Sequence, residues 1–217
     1  MWTYRGINVH WLGHDSFVLQ GSKTVIIDPF KAKGDYKADV LLISHEHFDH
    51  FSEDDIKRFA GPSTVIVAPR QCEDPLRAFK QDKRIVEPGQ NVEIDGVKVE
   101  PVPAYNLNKF REPGKVFHPK EDKNVGYVVT LDGVRFYHAG DSDATPEMKS
   151  LDVDVALLPI SGTYVMTAEE AAEAARAMKA EALVPMHFDK IVGTKDDAER
   201  FKKLVGANRN VVIMEPE

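Results

Sequence analysis

The sequence predicts a layered α/β domain in which two β-sheets lie together with helices outside. Three observations predict it. Short apolar runs separated by Gly and polar turn residues dominate the chain as far as residue 138. Two Asp-Gly pairs, at 95–96 and 132–133, turn alternating runs into hairpins, because these residues tolerate the positive φ of a type I′ turn. From residue 154 onward strand and helix patterns alternate, as βαβα units do.

Taken in order, "INVHWL", "SFVLQ" and "TVIID" read as an antiparallel meander broken by Gly and "GSK". "DVLLI" at 39–43 is continuously apolar, as expected of a strand covered on both faces. "SEDDIKRFA" then starts a helix, with Ser52 as N-cap and Asp55 three residues on. "STVIVA" is the next buried strand, and "PLRAFKQ" carries a short helix. "NVEIDGVKVEPVPA" and "VGYVVTLDGVRFYHAG" are the two hairpins. Strand "VDVALLPI", helix "TAEEAAEAARAMKA", strand "ALVPMHF", helix "TKDDAERFKKLVG" and strand "NVVIM" complete the pattern. Thr167 with Glu170 forms a capping box, and Ala168, Ala171, Ala172, Ala175 and Met178 give that helix a narrow apolar face suited to close packing on a sheet. Residues 104–123 are the one long irregular stretch, and structureless segments of that length in a compact domain are usually functional.

Composition sets limits. A chain of 217 residues is long enough for one buried core, so a single domain over 1–217 is expected. No apolar stretch approaches the roughly 20 residues of a membrane helix, and no charged-then-apolar leader opens the chain. Cys72 is the only cysteine, so no intrachain disulfide can form and a reducing, cytoplasmic setting is expected. The net charge of −7 argues against a broad nucleic-acid footprint, which needs clustered Lys and Arg. A small molecule, anionic if a basic loop engages it, is the expected partner, and a homo-oligomer is compatible with the sequence.

"SHEHFDHF" at 44–51 places His45, His47, Asp49 and His50 within six positions directly after a buried strand. Residues two apart on extended backbone leave the same side, so His45 and His47 can share one ion. Asp49 and His50 follow at once and can turn toward a second point. Imidazole suits zinc and other late divalent ions, and the carboxylate widens the choice to iron or manganese. A lone histidine in such a loop is usually solvated or a helix cap; three with an aspartate are not.

"HEHFDH" resembles the HxHxDH signature of the metallo-β-lactamase fold. "WLGHDSFVL", "TVIIDPF", "YHAGDSD" and "LVPMHFD" are similar, in the right order, to motifs of the branch containing ascorbate-6-phosphate lactonase and related metal-dependent hydrolases. The resemblance implies a four-layer αββα sandwich holding one or two divalent ions, Zn2+ foremost with Mn2+ or Fe2+ as alternatives. It assigns His45 and His47 to one ion, Asp49, His50 and His187 to the other, and Asp141 between them. It gives Asp28 the support of the ligand loop. One departure stands out: where the family supplies a third histidine to the first ion, this chain reads "AYNLNK", with Tyr105 and Asn106. His118, on the same long loop, is the candidate replacement, and Asn106 is a poorer ligand that only a harder ion would accept. His14 is expected near the site as a supporting or substrate group, His138 as a prop for the turn before Asp141, and His10 has no assigned role.

The expected chemistry is hydrolysis of an ester, lactone or phosphodiester by a metal-bound hydroxide, with Asp49 holding or relaying its proton. Cys72 has no histidine near it in sequence and "ISGTY" lacks a nucleophile elbow, so covalent catalysis is not expected. Lys109, Arg111, Lys115, Lys120 and Lys123 would suit a phosphorylated substrate if they acted together, although Glu112, Glu121 and Asp122 offset three of them. The rivals are a non-catalytic metal-binding or regulatory protein, a nuclease of the same fold, and a flavodiiron-type redox protein. The last places a carboxylate where His47 stands.

Overall fold

In the computed structural model, which describes residues 1–217, the first sheet is built from β1 (Trp2–Tyr4), β2 (Ile7–Trp11), β3 (Phe17–Gln20), β4 (Thr24–Ile27) and β5 (Ala38–Leu42). Helix α1 (Glu53–Phe59), β6 (Ala60–Pro69), helix α2 (Glu73–Leu76) and β7 (Asp82–Val86) follow. Its seven strands lie in sequence order, antiparallel from β1 to β4 and parallel from β4 to β7. The chain then forms β8 (Val92–Ile94), β9 (Val97–Pro103), a two-stranded ribbon of β10 (Phe110–Glu112) and β11 (Lys115–Val116), β12 (Val125–Leu131) and β13 (Val134–His138). Helix α3 (Pro146–Lys149), β14 (Asp152–Pro159), α4 (Ala168–Ala177), β15 (Lys179–Met186), α5 (Lys195–Val205) and β16 (Asn210–Val211) complete it. The second sheet has the order β16-β15-β14-β13-β12-β9-β8 and is parallel from β13 to β16.

Strand alternation sorts the side chains into layers. Val25, Ile27, Val40 and Leu42 point into a core shared with the second sheet, whereas Ile26, Leu41 and Ile43 point the other way, toward Ile56 and Phe59 of α1 and Leu76 of α2. On the far side, Ala171, Ala172, Ala174 and Ala175 of α4 are fully buried, and α4 and α5 cover β15. The result is helices, sheet, sheet, helices, the αββα sandwich expected from the sequence. Side chains this small let a helix approach a sheet closely. The α4 capping box forms as expected, with Glu170 N donating to Thr167 Oγ1 (3.2 Å) and Thr167 N donating to Glu170 Oε2 (2.8 Å).

Several expected elements differ in extent. The helix placed over "PLRAFKQ" lies earlier, at Glu73–Leu76 behind a 3-10 turn at Arg70–Cys72. "NVVIM" contributes only Asn210–Val211, and "ALVPMHF" becomes a strand starting at Lys179 and stopping one residue before His187. The irregular stretch 104–123 holds the β10–β11 ribbon and a 3-10 turn at Lys120–Asp122.

Two contacts bind the sheets together at one rim. Tyr127 of β12 crosses the core and its hydroxyl donates to the Ile43 carbonyl (2.7 Å), while Val125 N donates to Ser44 O (3.1 Å). The segment after β5 is thereby anchored to the opposite sheet just before His45.

Candidate metal centre

Strand ends from both sheets meet at this rim. After β5 the backbone turns, with the N–H groups of His50 and Phe51 both donating to His47 O (2.9 and 2.8 Å). That turn separates His45 and His47 from Asp49 and His50. Asp141 follows β13, His187 follows β15, Asp28 follows β4, and His14 and Asp15 occupy the tight turn between β2 and β3. His14, Asp28 and His187 have φ of +54°, +43° and +59°. Left-handed backbone at non-glycine residues costs on the order of 1–3 kcal/mol each and concentrates at functional sites.

Three imidazoles form the first group. His45 Nε2 lies 3.0 Å from His47 Nδ1, which lies 3.2 Å from His118 Nε2. Bonds of 2.0–2.1 Å to one tetrahedral ion require nitrogens about 3.3 Å apart, so the spacing fits. The Asn106 side-chain oxygen explains why His118 returns here. It accepts from His118 N (2.9 Å) and lies 3.0 Å from His118 Nδ1, which places the ring proton on Nδ1 and turns Nε2 toward the other histidines. Asn106 therefore orients the histidine instead of standing in for it. Burial holds His45 well below the ordinary imidazole range and His118 down at about 4, leaving the lone pairs that ligation needs.

The second group is deeper. His50 Nε2 and His187 Nε2 each lie 3.2 Å from Asp141 Oδ1, yet all three atoms are buried without a hydrogen-bond partner. Buried polar atoms are almost always paired, and a cation among these atoms would satisfy all three at once. The far sides of the rings are held: His50 Nδ1 lies 2.8 Å from Asp28 Oδ2, and His187 Nδ1 lies 3.0 Å from Ser161 Oγ. Asp28 also accepts from Ser44 N (2.7 Å) and Ser44 Oγ (2.6 Å), so one carboxylate braces the ligand loop and a ligand together. Burial would lower His50 and His187. The Asp141 carboxylate outweighs it, raising His187 to about 9 and His50 well above its ordinary value.

Asp49 stands at the outer edge of this group, its Oδ2 3.1 Å from His14 Nε2. Burial lowers His14 to about 4, so a neutral ring donates through Nε2. Burial pushes Asp49 up, but that hydrogen bond more than offsets it, and the carboxylate stays below its usual range. Asp49 also borders a cleft of about 250 Å³ lined by His47, His118 and Asp141 and by the apolar side chains of Phe48, Phe117, Tyr164 and Ile191.

The structure thus brings together His45, His47, Asp49, His50, His118, Asp141 and His187, with His14 and Asp28 beside them. His138 props the turn, its Nε2 2.8 Å from Asp15 O and its Nδ1 accepting from Gly140 N (3.2 Å). His10 lies apart, paired with Glu217. Cys72 is buried under the helices of the first sheet, and burial pushes its thiol up. The loop lysines do not act together: Lys109 pairs with Asp143 and Glu170, Lys115 with Glu112, Lys120 with Glu147 and Lys123 with Glu87. Sequence reasoning missed Asp15 and Ser161. The polar run "GHDS" interrupting two buried strands was the available clue to Asp15.

Comparison with known proteins points the same way. The family profile for the Beta-lactamase superfamily domain matches residues 8–187. A UPF0173 metal-dependent hydrolase of Thermococcus onnurineus is 35% identical over 97% of each chain, and one of Pyrococcus horikoshii is likewise 35% identical over 97% of each. Among solved structures, a protein of Parabacteroides distasonis described as a metal-dependent hydrolase is 32% identical over 97% of this chain and 94% of its own, with a TM-score of 0.79. A metallo hydrolase of Ignicoccus hospitalis, at 24% identity over 97% and 95% of the two chains, shares the fold with a TM-score of 0.79.

Proposed function

The chain belongs to the beta-lactamase superfamily and is a metal-dependent hydrolase, and from that premise we propose that it cleaves carboxylic esters or lactones of small molecules bearing an apolar group. One or two divalent ions serve it, Zn2+ foremost, with Mn2+ or Fe2+ also suited to the carboxylate-bearing group. The observation that carries the proposal is the cleft, which His47, Asp49, His118 and Asp141 line together with Phe48, Phe117, Tyr164 and Ile191. Its walls are apolar where the substrate's non-reacting part would lie. Phe117 and Tyr164 meet edge to face at 4.7 Å between ring centres, which stiffens that wall.

When bound, the ions lower the pKa of water to about 7 and stabilise charge developing on oxygen. The chain's own residues do the rest. Asp49, kept ionised by His14, has Oδ1 available to take a proton released at the cleft. The aromatic wall excludes bulk water and positions an apolar substituent. Asp28, Ser161 and Asn106 hold three ligand rings in place, so they need not reorganise during turnover.

A phosphorylated substrate has less support, because four of the five loop cations are already paired with acids. The cytoplasmic setting suggested by the single cysteine belongs to the same reading; no helix is long and apolar enough to cross a membrane.

The test is a rate comparison on metal-loaded protein across p-nitrophenyl esters of increasing acyl length, alkyl-substituted lactones, and a phosphodiester. Each methylene buried in the cleft is worth about 0.8 kcal/mol, so kcat/KM should rise about fourfold per carbon until the cleft is full. Preference for the phosphodiester would sink the apolar-ester reading. Turnover no faster than with free metal would leave a non-catalytic metal-binding protein.

A further inference from the structure

Asp15 is the one carboxylate at this rim with both oxygens buried and unpartnered. It is fully buried, and neither Oδ1 nor Oδ2 accepts a hydrogen bond. His138 reaches its backbone carbonyl, not its side chain. The one basic group within 4.0 Å is His50, whose Nε2 lies 3.7 Å from Oδ2. Side-chain atoms of Asp15, His50, Asp141 and His187 all lie within 4.8 Å of one another.

The turn that carries Asp15 is itself forced. Gly13 has φ +92° and His14 φ +54°, and the turn is closed by Leu12 N donating to Ser16 O (2.8 Å) and Ser16 N to Gly13 O (3.0 Å). Its tip is locked to the opposite sheet, since His187 N donates to His14 O (3.2 Å) and the two rings lie 4.1 Å apart. A strained turn tied to a ligand-bearing segment, with a bare carboxylate aimed inward, is costly unless a cation compensates it.

We propose that Asp15 is a ligand of the deeper ion, which His50, His187, Asp141 and Asp15 together enclose as a set of two nitrogens and two carboxylates. The proposal rests on the metal-dependent reading above. Two carboxylates balance the charge of a divalent ion and make this site harder than the all-imidazole group of His45, His47 and His118. Asp15 fills the inner position, and Asp49 stands at the outer edge of the same group beside His14.

The experiment compares wild type with Asp15→Asn, both stripped by chelator and reloaded with Mn2+ or Zn2+. Bound ions are counted by elemental analysis, affinity is measured by chelator competition, and Tm is read with and without metal. Wild type should hold two ions. Asp15→Asn should keep one and lose the other or bind it at least about tenfold more weakly, and its metal-induced rise in Tm should shrink. Its metal-free Tm should not fall, because an amide fills the same space and neither Asp15 oxygen has a hydrogen bond to lose. Two ions held with unchanged affinity would overturn the proposal, as would a lower metal-free Tm with unchanged metal uptake, the mark of a purely structural role. If Asp15→Asn does not fold, Asp15→Ala is measured in the same way, with the same outcomes deciding. Wild type that takes up no metal would sink the hydrolase reading along with this one, whereas two ions in both proteins would remove Asp15 alone.

Discussion

His118 reaches the first imidazole group from a loop, held there by Asn106, by His47 and by the Asp141 carboxylate 3.5 Å from its Nε2. Its Nε2 faces His47 Nδ1 at 3.2 Å, and no other side chain in the His45, His47 and His118 group can take its place. His118→Ala should therefore reduce bound metal from two equivalents to one in elemental analysis, with the deeper ion retained. An unchanged count would remove His118 from the centre. Much of this site could be read in advance. "HEHFDH" crowds its donors into one short segment, and the motif order located Asp141 and His187. What could not be read is which of two polar neighbours does what across a long sequence gap. Asn106 and His118 are 12 residues apart, and only the folded loop shows that the amide orients the ring. Asp15 was hidden for the same reason: a turn aspartate is ordinarily solvated, and its burial depends on a turn locked against the His187 segment.

Elements bring these ligands into register, and β12 is the one on which most depends. It lies between β9 and β13 and carries Tyr127, whose hydroxyl holds the Ile43 carbonyl beside the ligand loop. Gly126, one residue earlier, leaves room for the chain leading to Asp141: a Cβ there would sit 2.6 Å from His138 O and 2.7 Å from Ala139 O. Those are backbone atoms, at the paired end of β13 and the residue just after it, and cannot swing aside as a side chain would. Gly126→Ala should destabilise the protein by about 1–3 kcal/mol, measurable as a lower midpoint in urea, and should weaken metal binding by displacing Asp141. Wild-type stability with wild-type metal content would show that β13 yields more easily than its pairing suggests. The elements missed in the sequence are the ones that rely on neighbours. β1 is three residues long, and β7, "DKRIV", is an edge strand with three charged residues, so neither carries the apolar alternation that marks a strand by itself. The longer buried strands and the longer helices α1, α4 and α5 announce themselves locally and were legible, whereas the one-turn helix α3, though capped by Thr145, was not read.

At the scale of the whole molecule, the segment after β16 ties one sheet to the other without using any of the metal-centre side chains. Val212 N donates to Leu183 O on the second sheet, and five residues later Glu217 N donates to Trp11 O on the first (2.9 and 3.0 Å). The Glu217 side chain completes the tie, pairing with the Met1 amine (2.7 Å) and His10 Nδ1 (2.9 Å) and accepting from the Tyr36 hydroxyl (3.0 Å). Partial burial would raise its pKa, but these partners more than offset that and hold it at about 2, against an ordinary value of 4.5. A carboxylate depressed in the folded state stabilises the fold fully above its unfolded value and loses that contribution as pH falls toward the folded value. The tie is thus intact above about pH 4.5 and released on approach to pH 2. Because a third of the side chain is exposed, solvent screening reduces its worth to about 1 kcal/mol, or about 2–4 °C in Tm for a protein of this size. Glu217→Gln should melt that much lower than wild type at pH 7, and the gap should close between pH 4.5 and pH 2 in a series of thermal melts, with bound metal at pH 7 unchanged. A gap of constant size across that range would mean that Glu217 acts through packing and not through its charge.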